Sequence, residues 1–157
     1  MTAPADLPPS EYWPACRAAL APDGLWQPAD PDDAEAPECF LLQVYGEGGA
    51  LVDAVAWKPE APEHWWLRYG NAAYLGDAAI TLGNFEGVPV ELVPNPKTYL
   101  ARDGRAVCVL RWDSDLESIE AAADHGFVCR NLKLADHFKN TLARQRRDAV
   151  RVEVVAA

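Results

Sequence analysis

The stretch VPVELVPNPKTYLARDGRAVCVLRW (88–112) decides the expected fold, because strand and helix signals alternate within it. VPVELV (88–93) predicts a strand, and Asn95-Pro96 then begins a helix that ends at Gly104. AVCVLRW (106–112) is the strongest strand signal in the chain. A strand, a helix and a second strand in succession indicate an α/β fold with mostly parallel strands.

The same alternation continues towards the C-terminus. Ser114 and Glu117 have the spacing of a capping box, which predicts a helix with Leu116, Ile119 and Ala123 turned inward. Three further segments complete the pattern: a short strand GFVC (126–129), a longer helix capped by Asn131, and a last strand VRVEVV (150–155).

Upstream of residue 88 the pattern is a β-hairpin. CFLLQVY (39–45) and LVDAVAW (51–57) are two apolar runs of strand length joined by a glycine-rich turn. Pro62 suits the first turn of a short helix that reaches Tyr69. AAITL (78–82) predicts another strand.

The N-terminal region is different in composition. The first 38 residues hold eight of the thirteen prolines and a run of acidic residues. Ser10 to Leu20 predicts one short helix, and residues 21–38 predict an extended acidic loop. We therefore expect an N-terminal helix and proline-rich acidic arm (1–38), followed by a single α/β domain (39–157) with a mixed, mostly parallel sheet and a hairpin at its start.

The charge of the chain is uneven. The net charge is −10; residues 1–63 carry twelve acidic and two basic side chains, whereas residues 64–157 carry twelve of each. An acidic surface repels nucleic-acid phosphates at long range, so it fits either a basic partner or a role in solubility. Direct nucleic-acid contact would require a local basic segment, for which the candidates are Lys139, Arg144, Arg146 and Arg147.

Several classes of site and location are unsupported by the sequence. No apolar run approaches the ~18 residues of a membrane span, and no secretory signal is visible, so we expect a cytoplasmic protein of a bacterial host with reduced cysteines. Cys16, Cys39, Cys108 and Cys129 include no CxxC pair, which makes a closed zinc site unlikely on spacing alone. Neither a nucleophile elbow nor a phosphate-binding glycine loop occurs.

An aromatic cluster is the strongest candidate for a binding surface. Tryptophans, a tyrosine and an arginine lie close together in the segment 57–69. Such a cluster forms either part of a core or a recognition surface. The candidate partner-binding residues are Trp65, Trp66, Arg68 and Tyr69, together with Asp30, Asp32, Asp33 and Glu35 of the acidic arm.

Asp113-Ser114-Asp115 is the strongest candidate for catalysis. Two carboxylates two residues apart, just after a strand, are able to share a hard cation such as Mg²⁺. Together with Glu47-Gly48, they make the order of features resemble the Toprim domain of primases and topoisomerases. The resemblance implies that Asp113 and Asp115 hold Mg²⁺ and that Glu47 acts in proton transfer. The structural alternative is helix capping at the same residues.

A second resemblance covers about residues 50–145. AWKP (56–59), HWWLRYG (64–70), PKTYL (96–100) and VCVLRW (107–112) are similar to a group of small prophage-encoded accessory proteins of GC-rich bacteria. This resemblance implies a mobile-element protein that accompanies phage replication genes, and it implies no catalytic residue.

The leading functional hypothesis is a non-enzymatic, acidic accessory protein of a phage or mobile element. It binds a macromolecular partner, such as a basic replication or host-defence component, in competition with nucleic acid, and needs no cofactor. One alternative is a divergent Toprim-like nucleotidyl-transfer or nuclease domain that uses Mg²⁺ at Glu47, Asp113 and Asp115. Another is a structural subunit that forms a homo-oligomer through the aromatic cluster; the oligomeric state stays open.

Overall fold

The computed structural model describes residues 13–153, with side-chain placement for residues 16–46 and 48–149. Five strands form a first sheet: β1 Trp13–Leu20, β2 Trp26–Pro28, β3 Glu38–Tyr45, β4 Leu51–Lys58 and β5 Ala61–Leu67. Their order is β2-β1-β3-β4-β5, and every neighbouring pair is antiparallel. The predicted hairpin is confirmed as β3 and β4, where Leu42 lies opposite Val55.

A second sheet and four α-helices form the rest of the described chain. The strands are β6 Tyr74–Leu75, β7 Val90–Leu92, β8 Ala106–Val109 and β9 Phe127–Val128, in the order β6-β8-β7-β9. The helices are α1 Asp77–Glu86, α2 Pro96–Ala101, α3 Leu116–Ala122 and α4 Leu132–Glu153. β7 runs parallel to β8 and β9, whereas β6 runs antiparallel to β8.

The α/β class is confirmed, but the expectation of one mostly parallel sheet needs correction. Among the described strands, parallel neighbours occur only in the second sheet, where helices connect the strands. The strands of the first sheet follow one another through short connections, and a short connection permits only an antiparallel neighbour. The first sheet is therefore entirely antiparallel within the described residues.

The predicted N-terminal helix over residues 10–20 is also wrong where the structure describes it, because residues 13–20 form β1. Cys16 pairs with Cys39 and Arg17 with Glu38 across β1 and β3. Sheet pairing satisfies the backbone of this segment and overrides its helical spacing of apolar residues. Residues 10–12 of the predicted helix lie outside the described residues.

Three other segments adopt the opposite structure to the one predicted. The segment 62–69 was expected to be helical but contributes to β5, since Trp65 and Trp66 pair with Trp57 and Ala56 on β4. Residues 78–82 were expected to be a strand but belong to α1, which is bounded by two glycines in left-handed backbone conformations. The predicted last strand over 150–155 is helical through residue 153, because an established helix gains one hydrogen bond per added residue.

Helix caps were predicted with mixed success. Asn95 accepts a hydrogen bond from the Thr98 N–H at the start of α2, and Asn131 accepts one from Leu134 in α4, as expected. The N-cap of α3 is Asp115 and not Ser114. The Ser114 hydroxyl instead donates to the Arg111 carbonyl, which closes the turn after β8.

The two sheets pack face to face and leave three apolar cores. The core between the sheets contains the fully buried side chains Val55, Trp57, Leu100 and Cys108. A second core lies between the other face of the second sheet and three helices, α1, α3 and α4. A third lies on the outer face of the first sheet and includes Trp26 and Leu41. The second sheet is thus covered on both faces, by the first sheet and by the helices, which explains its continuous apolar strands.

Helix α4 is fastened to the loop before α3 by polar side chains. The Gln145 side chain donates to the Ser114 carbonyl at 2.8 Å and accepts from the Leu116 N–H at 3.1 Å. One residue further on, Arg146 forms ion pairs with Glu117 and Glu120 of α3. These contacts hold the segment that follows β8 against α4.

The two sheets are joined through one buried carboxylate. Asp53 on β4 has no exposed surface. Its Oδ1 accepts the N–H groups of Ala54 and Tyr69, both at 2.9 Å, and its Oδ2 accepts those of Asn71 and Ala72 at 2.7 and 3.0 Å. Residues 68–73 connect β5 to β6, so Asp53 organises the backbone between the sheets.

We expect Asp53→Asn to lower the free energy of unfolding by about 2–4 kcal/mol. In either orientation of the amide, its NH₂ group faces two backbone N–H donors, which lose their acceptor. Urea unfolding followed by circular dichroism measures the loss. Asp30→Asn is the matched control, because that exposed carboxylate accepts a single side-chain hydrogen bond, from the Asp32 N–H. Equal unfolding midpoints for the two variants would contradict the assignment.

Candidate functional site

Two of the predicted aromatic residues, Trp65 and Trp66, line a groove beside β5, which we call the tryptophan groove. Its volume is about 660 Å³. One wall is β5 with the turn that follows β1, and the other is the ring of Trp112 after β8. The lining residues are Leu20, Ala21, Pro22, Gly24, Glu63, His64, Trp65, Trp66 and Trp112.

Strand geometry places the two neighbouring tryptophans on opposite faces of β5. Trp65 faces the core between the sheets, and its indole N–H donates to the Leu110 carbonyl at 3.1 Å. Trp66 faces the outer core, and its indole N–H donates to the Ala21 carbonyl at 3.1 Å. Both rings are half-buried. Trp65 and Trp66 therefore fit both predicted alternatives, because each ring packs against a core and also lines the groove.

The third tryptophan of the groove comes from a distant part of the chain. Trp112 follows β8 and stacks against His137 of α4, with 4.1 Å between ring centroids, and it meets Phe138 edge-on. The sequence places Trp112 at the end of a predicted strand and assigns neither Trp112 nor His137 to a site. The signal that was present is a tryptophan at the end of an α/β strand, where sites gather.

Arg68 and Tyr69, also predicted to bind a partner, lie beside the groove and do not line it. The Arg68 guanidinium lies 5.7 Å from the Trp26 ring and 5.2 Å from the Tyr69 ring, and it donates to the Trp26 carbonyl. Arg68 also lines a neighbouring cavity of about 330 Å³ that shares Leu20 and Ala21 with the tryptophan groove. Tyr69 is 59% exposed.

The four acidic residues predicted to bind a partner lie in the turns that connect β2 to β3. Asp30, Asp32, Asp33 and Glu35 are all exposed. Asp30 and Asp33 accept backbone N–H groups two residues ahead, and the Arg17 guanidinium donates to the Asp33 carbonyl. Two of the four carboxylates thus shape the turn, and all four contribute negative charge to the surface.

The three acidic residues of the Toprim-like hypothesis lie in connections that follow strands of two different sheets. The backbone of Glu47 lies in the 3₁₀ turn Glu47–Gly49 between β3 and β4. Asp113 is exposed after β8 and pairs with Arg111 at 3.4 Å. Asp115 caps α3 by accepting from the N–H and hydroxyl of Ser118. Among the described side chains, no group of three His, Cys, Asp or Glu residues is arranged to hold a metal ion.

Asp115 provides a test of capping against metal binding. Its hydrogen bonds from Ser118 hold the pKa of this carboxyl below its ordinary value. Because the folded pKa is lowered, the capping contribution is present above the ordinary carboxyl pKa and is lost as the pH falls through the lowered one. We expect Asp115→Ala to lower the melting temperature at neutral pH, and Asp115→Asn, a comparable cap, to preserve it.

Thermal unfolding at neutral pH and at about pH 3 checks this expectation. In acid the Asp115 carboxylate becomes protonated, so the wild type should lose any extra stability that it has over Asp115→Asn. An Asp115→Ala variant as stable as the wild type would show that the cap is dispensable. The Mg²⁺ hypothesis is measured separately by calorimetric titration with magnesium chloride: it requires a binding heat that Asp113→Asn abolishes.

The basic segment of α4 is divided between structure and surface. Arg146 is held by Glu117 and Glu120, so it stabilises the contact between α3 and α4. Lys139, Arg144 and Arg147 are exposed on the same helix. They remain the candidates for the predicted direct contact with nucleic acid.

A second cleft lies between the end of the β3–β4 hairpin and the start of α1. Its volume is about 390 Å³, and its rim includes Tyr45, Tyr74, Asp77 and Arg105. The Tyr74 hydroxyl donates to the Asp77 carboxylate. Burial, followed by this hydrogen bond and the negative charge of Asp77, raises the pKa of Tyr74. Sequence reasoning did not identify this pair, which depends on the antiparallel β6.

The cysteines are placed as apolar side chains. Cys39 and Cys108 are buried, which raises the pKa of both thiols, in Cys39 to about 11. All four cysteines are free thiols. Within residues 13–153, no helix combines the length and the apolar composition needed to cross a bilayer.

Comparisons of the chain with protein-family models, with curated proteins and with solved structures find no match.

Proposed function

We propose that this chain is a non-catalytic binding protein and that the tryptophan groove is its contact surface for a protein partner. The observation that supports the proposal is that three half-buried tryptophans line one groove, Trp65 and Trp66 from β5 and Trp112 from the loop after β8. Partly exposed tryptophans in a concave site are typical of the residues that dominate protein–protein binding energy.

The groove is prepared for contact without rearrangement. The indole N–H groups of Trp65 and Trp66 are bonded to carbonyls of the chain itself, and the Trp112 ring is held by His137. The ring positions are therefore fixed before a partner arrives. A fixed aromatic surface loses little conformational entropy on binding, so more of the contact energy appears as affinity.

The charges around the groove favour a protein partner with basic residues. Asp23, Glu60 and Glu63 are exposed on the turns and strand that border it. The net charge of the chain is −10. Negative charge of this kind repels phosphates and accelerates association with a basic surface. A basic replication or host-defence component, the class of partner that the prophage resemblance implies, has this chemistry.

The composition of the groove supports binding more than catalysis. Among the described residues that line it, the only ionisable side chains are Glu63 and His64. Neither forms a hydrogen bond or an ion pair with another described side chain. A general acid or base that works on a substrate is normally oriented by a neighbouring group. The apolar rings supply area and shape instead.

Site-specific photo-crosslinking in the cells that express the protein tests the proposal. A photoreactive amino acid in place of His64 lies in the groove, and the same amino acid in place of Asn140, exposed on α4, is the matched control. We expect a discrete protein adduct at position 64 only, and its loss when Trp66→Ala is added. An equal pattern of adducts at both positions would overturn the groove as the contact surface.

A further inference from the structure

The tryptophan groove runs along an open edge of the first sheet. β5 is a terminal strand in the order β2-β1-β3-β4-β5, and its one strand neighbour among the described residues is β4. On the outer side of β5, the backbone bridge found among residues 13–153 is an isolated parallel one between Leu67 and Leu25. A strand edge that is not covered offers backbone N–H and C=O groups to another chain.

The hydrogen-bond alternation of β5 shows which groups point outward. Arg68 donates its backbone N–H to Ala54 of β4, whereas Leu67 donates to the Gly24 carbonyl on the other side. Bonded and non-bonded pairs alternate in an antiparallel ladder. The backbone N–H and C=O groups of Trp66 therefore point towards β4, whereas those of Trp65 point away from β4, out of the sheet edge. No acceptor for the Trp65 backbone N–H lies within the described part of the chain.

Side chains on both faces of this edge match the spacing of an added strand. Beyond Gly24, the Trp66 ring lies on the outer face of the sheet and the Trp65 ring on the face towards the second sheet, while Trp112 packs against the core between the second sheet and its helices and lines the same groove. Successive side chains of an extended peptide also point to opposite faces. A strand that pairs with the Trp65 backbone would therefore place alternate side chains beside Trp66 and beside Trp65.

The charges at this edge select the composition of such a strand. The exposed carboxylates of Glu60 and Glu63 lie on the turn before β5 and on the strand itself, and Asp23 lies on the turn at the other end of the groove. Two basic side chains lie near this edge and both are directed onto aromatic rings: the Lys58 ammonium is 5.9 Å from the Trp66 ring centroid, and the Arg68 guanidinium lies at the Trp26 and Tyr69 rings. The edge thus presents negative charge to an incoming peptide.

We infer that the β5 edge binds an extended peptide segment of its partner as an added strand, and that this segment carries apolar residues and at least one basic residue. The inference rests on the proposed function, because it names how the tryptophan groove holds a protein. Main-chain hydrogen bonds to Trp65 supply affinity, and the rings with the acidic rim supply specificity.

The first measurement is the exchange rate of single backbone amides in the full-length protein, by nuclear magnetic resonance. In the free protein at low concentration, we expect the Trp65 amide to exchange at least about tenfold faster than the Trp66 amide, which is bonded within the sheet. A slow Trp65 amide would mean that residues 1–12 or a second copy already cover the edge. Either result overturns the inference.

The second measurement uses linear random peptides displayed on phage and selected on the full-length protein. We expect enrichment of peptides with apolar and basic residues in alternation, and binding that Trp112→Ala and Glu63→Lys each weaken about tenfold or more. Glu86→Lys, an exposed change at the end of α1, is the charge-matched control and should leave affinity unchanged. A bound peptide should slow exchange of the Trp65 amide, and methylation of alternate peptide nitrogens should abolish binding.

The outcomes separate the two proposals. Peptides that bind the groove without slowing the Trp65 amide would retain the proposed function and refute the added strand. Enrichment of no peptide would also refute the added strand, while the crosslink at position 64 independently decides whether a protein contacts the groove. Enrichment of acidic peptides would refute the electrostatic selection.

Discussion

The arrangement of this molecule depends on the Asp53 carboxylate, which is buried between two sheets of opposite character. The first sheet is antiparallel and the second is mostly parallel, so they share no continuous ladder across the connection 68–73. Asp53 replaces that ladder by accepting four backbone N–H groups, three of them from the connection. Arg111 supports the same segment from the second sheet by donating to the Gly70 carbonyl. A buried ionised group is costly alone, and here the hydrogen bonds offset the cost.

The tryptophan groove follows from the same packing. Once the connection is fixed, β5 ends near the start of the second sheet, and Trp65 reaches the Leu110 carbonyl at the end of β8. Trp112 lies two residues further along the chain. The groove is therefore a joint between the sheets, which is where ligand sites commonly form. Its rings have apolar contacts on one side and open space on the other, so they stabilise the fold and remain available to a partner.

Local signals predicted much of the second half and little of the first. The strand predicted at 106–112 and the caps at Asn95 and Asn131 depend on neighbouring residues; the structure confirms the strand over 106–109 and both caps. β1 and β5 depend on pairing with strands far away in the sequence, so helical spacing at 10–20 and 62–69 was misleading. For the site, Trp65 and Trp66 were identified from their composition, whereas Trp112 and His137 were missed because long-range packing brings them together. An aspartate in the middle of an apolar strand, Asp53, indicates a buried carboxylate with backbone partners, and the sequence-based predictions did not use it.

The support of Trp112 by α4 has a consequence for the timing of activity during synthesis. Two of the three rings belong to the first sheet, which leaves the ribosome early. The third is held by His137, and the loop that follows it is fastened by Gln145 near the end of the chain. A nascent chain that has folded only its first sheet would present an incomplete surface to its partner. Under the proposed function, a chain that ends before α4 would lack the support of Trp112 and would bind the partner more weakly.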